Sequence, residues 1–344
     1  MTTTTSPAGN ATAINGQAST GEQTEQQASK PKVDVRVKAL RRFAAAITLF
    51  TIAGHLVLGF EQSPLTPIVS VLVAYAAALL MERVDSWARG VTPEYAGGAH
   101  AMVVFLLPPH ITALACAMLL YGNASLWPYI FAVMVATATK YVIRIRVRGR
   151  LRHILNPSNV GIAATLLLFP WVGIAPPYHF TNGVTGALNW FIPLAILTAG
   201  TALNAKLTGK LPLILAWVGG FVAQAVLRWL FLDHSLVAAL LPITGVAFIL
   251  YTLYMITDPA TSPSKTRNQV IFGVTTAAIY GILVVSGIVF GLFFALVITC
   301  ALRGLVLLAE AKLGHLRPVI RQRLPLQRVP GRAASAPAPA GGHG

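Results

Sequence analysis

Two histidines, a run of arginines and three short polar motifs are the residues of this sequence with chemistry to offer. His55 and His110 lie deepest in apolar surroundings, where an imidazole could ligate a metal or relay a proton. No second histidine stands at ligand spacing on the same stretch, so hydrogen-bonded packing is the simpler role and no metal site is expected. His110 is the stronger candidate, because a helix broken at Pro108 and Pro109 would leave backbone groups open around its ring. Arg144, Arg146, Arg148, Arg150 and Arg152 recur at a period of two. An extended segment would set the arginines on one side and Ile145 and Val147 on the other. The guanidinium groups would then rest on lipid phosphate, or on a phosphate-bearing cofactor or a partner subunit. Asn156-Pro157-Ser158-Asn159 offers a helix cap, at Asn156 or Ser158, and enough amide and hydroxyl groups for a polar cavity. In YMITDPATSP, from Tyr254 to Pro263, Thr257 and Asp258 stand where an apolar run stops. Asp258 there would accept hydrogen bonds from loop amides or pair with Lys265 or Arg267.

The elements that must hold these residues are set by composition. The 344 residues are 55% hydrophobic and 10% charged, with a mean hydropathy of +0.68. A soluble domain carries about 25% charged residues, so the chain belongs in a bilayer. The apolar residues fall into runs of about 20, the length of a helical span, without the alternation of a β-barrel. Ten spans are expected, near 41–60, 66–82, 99–121, 126–143, 158–177, 189–205, 211–232, 236–256, 269–286 and 288–309. Residues 1–36 read as a disordered cytoplasmic tail, 37–311 as the membrane domain and 312–344 as a basic, low-complexity cytoplasmic tail. No apolar core of a signal peptide occurs near the start.

Charge fixes the orientation. With both termini in the cytoplasm, all of the 26 Lys and Arg residues except Arg228 fall on the inner side. Because these charges sit beside spans, anionic lipid headgroups are their partners, and nucleic acid is excluded. Cys116 and Cys300 lie within apolar runs and read as packing residues.

Ten spans divide into five plus five, and an odd number per half turns the halves over. Pro108-Pro109 interrupts the third span, and Pro242, Thr244 and Gly245 interrupt the eighth, its counterpart. Broken spans at matching places of an inverted repeat mark a midplane site. The expected class is therefore an all-α polytopic membrane protein, ten helices in a 5+5 inverted repeat, broken in helices 3 and 8.

The Asp-Pro-x-Thr-x-Pro-like exit at 258–263, the Asn-Pro motif opening the fifth span and NQVIFGVTTAAIYGILV carry a resemblance. They are similar to the membrane subunits B and D of the sodium-translocating NADH:quinone reductase and Rnf electron-transport complexes. That family implies a ten-helix inverted repeat and flavin-linked electron transfer. It commonly bears FMN on the threonine of a Ser-Gly-Ala-Thr motif; here the matching stretch is Thr185-Gly186-Ala187-Leu188. Leu188 has no hydroxyl to esterify, so covalent FMN is not expected, and a non-covalent flavin or quinone takes its place as the candidate cofactor. LGFEQSPLTPIVSVLVAYAAALLMERVDSWARG, FLLPPHITALACAMLLYGN, RGRLRHILNPSNVGIAATLLLFPWVGIAPPYHFTN and LNAKLTGKLPLILAWVGGFVAQAVLRW more closely resemble the UnbU-type integral membrane proteins of enediyne gene clusters. That implies a bacterial cytoplasmic membrane, an enediyne biosynthetic setting, and redox or biosynthetic proteins as partners.

All 10 acidic residues fall outside the middle of the spans, which weakens a cation-pump reading. Trp127, Tyr129, Trp171, Tyr178 and Trp190 suit an outer aromatic belt. His179 and Asn182 are solvent-facing loop residues or the lining of an external pocket. An electron-transfer accessory and a channel or carrier for an enediyne or its precursor both remain open, with a scaffold for biosynthetic enzymes a third reading.

Overall fold

Helices follow the apolar runs, because a backbone in hydrocarbon must satisfy its own N–H and C=O groups. The computed structural model describes residues 35–147, 150–176 and 179–323. Most of both expected tails (1–34 and 324–344), Arg148 and Tyr178 lie outside them, as does the Arg150 side chain. The first half of the chain forms α1 (Val35–Leu56), α2 (Leu65–Arg89), α3 (Ala99–Leu119), α4 (Trp127–Val142) and α5 (Pro157–Leu168). The second forms α6 (Leu188–Leu203), α7 (Leu211–Leu232), α8 (Leu236–Leu240), α9 (Val246–Leu250), α10 (Thr266–Val285) and α11 (Gly291–Arg323). One π turn, Asn204–Thr208, prolongs α6, and a second, Tyr251–Met255, prolongs α9.

Among the described residues six helices are long and apolar enough to cross a membrane, and the α8–α9 pair makes a seventh if its two limbs count as one span. The protein is therefore a multi-pass membrane protein. α4 has 16 residues and α5 only 12. At about 1.5 Å per residue, α5 covers roughly 18 Å of the roughly 30 Å hydrocarbon layer. α11 continues past position 311 to Arg323, carrying helix into the basic segment.

The expected break in the third span does not occur: α3 runs through Pro108 and Pro109 without interruption. Two missing amide donors cost two intrahelical hydrogen bonds. A break would expose more backbone than that to lipid, and α3 is held on several sides by α1, α2, α4 and α5. The eighth span does break. α8 leads into a 3₁₀ turn at Leu241–Thr244, Gly245 takes extended geometry, and the axis bends by 68°.

The molecule is also not purely helical. β1 (Leu120–Tyr121) pairs antiparallel with β4 (Gly173–Ile174), and β2 (Arg144–Val147) with β3 (Arg150–His153). The second pair is a hairpin with Arg144 opposite His153 and Ile145 opposite Arg152. Directly opposed residues share a face. Even-numbered positions on β2 therefore share a side with odd-numbered positions on β3, and Arg152 falls on the side of Ile145. The single arginine face expected of a continuous strand is split by the register of the pairing.

Within the compact unit that begins at Val35, α2 packs on α3 and α4, α1 on α3, and α4 on α5. In the second half α7 packs on α10, α10 on α11, and α6 on α9. Small residues permit the α7–α10 approach. A Cβ on Gly273 would sit 2.8 Å from both Leu213 O and Trp217 N, and one on Gly220 would sit 2.7 Å from the Ala277 methyl. Trp217, Phe221, Phe248, Tyr251 and Tyr280 fill the space around that contact with edge-on and stacked rings. Leu72, Leu215, Phe231 and Leu305 point outward, as residues facing lipid do.

Candidate functional site

The residues of the Asn-Pro-Ser-Asn motif meet the broken span. Asn156 is the cap of α5: its Oδ1 accepts the Asn159 amide at 3.1 Å and the Ser158 hydroxyl at 2.9 Å. Its Nδ2 donates to Met255 O at 3.0 Å, and Asn159 Nδ2 donates to Phe293 O at 2.8 Å. The motif thus ties α5 to the second π turn and to the start of α11. The amides spend their donors on carbonyls from two other elements, and only Asn159 Oδ1 is sealed without a partner.

The π turns face each other. Asn204 donates to Leu253 O at 2.7 Å and to Gly200 O at 2.9 Å, while the Thr257 hydroxyl donates to the same Leu253 carbonyl at 2.6 Å. A π turn loses the usual i→i−4 pairing, and π turns cluster at functional sites. Here side chains from neighbouring segments satisfy the freed carbonyl. Sequence gave no sign of Asn204, since nothing local marks which carbonyl it must reach.

Asp258 closes its own turn. Its carboxylate accepts the Ala260 amide at 3.1 Å and the Thr261 hydroxyl at 2.8 Å, and its carbonyl accepts the Ser262 amide and hydroxyl. Lys265 and Arg267 are exposed and make no ion pair with it. Two cations that the sequence reading did not single out clamp the turn instead. Lys210 Nζ donates to Pro263 O at 2.6 Å, and the Arg303 guanidinium donates to Thr261 O. Lys210 is 3% exposed. Burial pushes its pKa down to about 8, with nearby Asp258 opposing the shift and Arg303 adding to it. The exit motif is a helix stop locked from both sides.

Beneath that turn, Phe43, Phe50, Met118, Ser158, Tyr254 and Met255 line a cavity of about 60 Å³ between α1, α3, α5 and the second limb of the broken span. Of the expected site residues, Ser158 alone lines it. Pro108, Pro109, His110, Pro242 and Thr244 do not, and the Thr244 hydroxyl bonds its own turn at Leu241 O.

His110 is enclosed by hydroxyls. Thr48 donates to Ala44 O at 2.7 Å, so its oxygen accepts the His110 Nε2–H at 2.8 Å. That tautomer leaves Nδ1 to accept the Tyr75 hydroxyl at 2.9 Å. Both ring nitrogens are used, in a neutral ring. His55 donates from Nδ1 to Thr51 O at 2.8 Å. His179, expected to face solvent or line an external pocket, is 5% exposed, with its ring centroid 3.5 Å from that of Phe60. Burial, then the neighbouring His55, lowers the His179 pKa to about 4. Asn182 is exposed and donates to Glu61 at 3.4 Å. Among the described residues no cluster of three or more His, Cys, Asp and Glu side chains is arranged to hold a metal.

Arg144 is not free for lipid. Asp85 takes it in a two-pronged ion pair and holds Arg89 at 2.5 Å as well. Asp85 favours the charged guanidinium of Arg144, whose pKa is raised. Arg146 and Arg152 remain exposed. Trp127 and Trp190 are exposed as belt residues would be, whereas Tyr129 is buried and accepts the Gly122 amide at 2.9 Å. Leu188 is the exposed first residue of α6. Both cysteines are buried and free. No protein-family model matches this chain, and no curated protein matches it.

Proposed function

We propose that the protein is a ten-span subunit-like membrane protein of inverted-repeat design. In this reading it serves as an electron-transfer accessory to enediyne biosynthesis in the bacterial cytoplasmic membrane, with both termini in the cytoplasm. The helix neighbours support the repeat. The second span packs on the fourth as the seventh does on the ninth, the fourth on the fifth as the ninth on the tenth, and the first on the third as the sixth on the eighth. The observation that carries the function is the aromatic- and methionine-lined cavity under the second limb of the broken span. Such a lining suits a quinone ring better than a flavin, which needs several polar partners and a phosphate site. At about 60 Å³ the cavity is well below the roughly 300–1,000 Å³ of small-molecule sites. Occupancy therefore requires the π turn carrying Tyr254 and Met255 to move outward.

A carrier for an apolar molecule, such as an enediyne or its precursor, is the second reading. It is favoured by a lining with no carboxylate, histidine or cysteine. A visible spectrum and mass analysis of small molecules extracted with the gently purified protein separate the two. A bound quinone or flavin supports electron transfer, and a chromophore-free protein counts against it. A gene deletion that alters the product but leaves export and self-resistance intact rules out the carrier.

A further inference from the structure

Arg228 is the cation that the charge asymmetry left over. It lies on α7, whose first turn is anchored by Lys210 to the clamped turn at Ser262 and Pro263. Eighteen residues of helix separate the two cations, about 27 Å. Arg228 therefore sits at the end of the bundle opposite the arginine hairpin, which packs against α11. Its residue is 9% exposed, and its Nε is sealed from solvent without a hydrogen-bond partner. Neither ion pair among the described residues includes it. Asp233 and His234 follow it closely, but only their backbone amides reach it, at the Arg228 carbonyl. Those two amides also occupy one of the carbonyls whose partial negative charge would otherwise favour a cation at this helix end.

The surroundings are shaped for a donor fork. Gln224, one turn earlier on the same face, is 7% exposed, and its Oε1 is also sealed and unpaired. An acceptor and a donor one turn apart can satisfy each other through a side-chain rotation, Nε–H to Oε1. That leaves both terminal nitrogens of the guanidinium for something else. Gly281 on α10 makes room for this pair: a Cβ there would lie 3.4 Å from Gln224 Oε1. Tyr280 beside it is within electrostatic reach of Arg228. Of the guanidinium nitrogens only Nε is sealed without a partner, and the planar fork of donors that the terminal nitrogens present matches a carboxylate or phosphate edge.

We infer that Arg228, oriented by Gln224, binds an oxyanion, the carboxylate or phosphate of a small molecule or the phosphate of a lipid headgroup, at this end of the bundle. The test uses the full chain, purified in neutral detergent and stripped of lipid, with thermal unfolding followed against inorganic phosphate and, separately, phosphatidylglycerol. A stabilising response to phosphate assigns a soluble oxyanion; a response to phosphatidylglycerol alone assigns the headgroup. Arg228→Gln is expected to move the midpoint at least about tenfold to higher concentration, and Arg228→Lys, which keeps the charge without the fork, by less. Because Arg228→Gln can fail to fold, phenylglyoxal modification of the wild-type chain, mapped by peptide mass, gives a second readout: reaction at Arg228, slowed by the same probe. Neither probe stabilising the wild type, variants responding as the wild type does, or no probe-sensitive reaction at Arg228 overturns the inference.

Discussion

A lysine ammonium sealed against two backbone carbonyls, as Lys210 is against those of Ser262 and Pro263, titrates where its surroundings allow. Its folded pKa of about 8 lies below the ordinary 10.5. The unfolded chain therefore binds more protons between those values, and the stability contributed by Lys210 rises with pH across that window and is smallest below it. Melting temperature followed from neutral pH to pH 10 should show this slope in the wild type and a flatter one in Lys210→Met. Asn204 is the second residue to test. Removing its amide in Asn204→Ala takes one donor from each of the Leu253 and Gly200 carbonyls, which keep the Thr257 hydroxyl and the Asn204 backbone amide, a loss of roughly 0.5–1.5 kcal/mol readable by denaturant or thermal unfolding in detergent. At this scale the sequence was legible where a side chain serves its own turn, as Asn156 and Asp258 do. It was not legible for His110, whose partners Thr48 and Tyr75 are 62 and 35 positions away. Whether an intramembrane histidine is open or saturated depends on helices that pack beside it, and no local spacing encodes that.

Helices and strands show a different division. α7 and α10 meet through glycines, so a side chain at Gly273 must displace backbone atoms of its neighbour. Gly273→Val should cost about 1–3 kcal/mol or prevent folding. Gly219→Ala, where a methyl meets nothing within 4 Å, should be neutral or stabilising by up to about 1 kcal/mol. Comparing the two melting temperatures tests the packing face of α7. The hairpin makes a second comparison. Asp85→Asn removes the charge that holds Arg144, so tryptic cleavage within 144–152 should accelerate in inside-out vesicles. Equal rates would mean the ion pair is not what anchors the strands. The period of two did announce extended structure. That the second strand pairs back on the first, and so sends the arginines to both faces, depends on the register in which the strands pair. The double proline likewise announced a break that α3 does not make, whereas Pro242 and Gly245 announced one that the eighth span does. The α3 backbone is braced by four other helices, and packing decides which weak point yields.

For the molecule as a whole, the arrangement of charge predicts its sidedness. Cys116 and Cys300 are buried and give a quiet background for thiol labelling. An impermeant maleimide should reach Ala124→Cys in intact cells, and Ser264→Cys only after permeabilisation, since the loops at these two positions fall on opposite sides of the proposed ten-span arrangement. Labelling of both from one side would dismantle the topology and the repeat with it. The sequence by itself determined that this chain lives in a bilayer, because hydrophobic run length and the scarcity of charge are properties of composition that no fold can alter. It also marked a helix start at Asn156 and a helix stop at Asp258, where cap and turn act within a few residues, but not the ends of α5 and α11. Only the tertiary structure decided that Lys210 and Arg303 clamp the exit turn, that Asn156 joins the two halves and Asn204 the two π turns, and that a small apolar cavity lies between α1, α3, α5 and the second limb of the broken span. Each of these pairs a side chain with a carbonyl or wall supplied from far along the chain. Such partners exist only once the helices have packed.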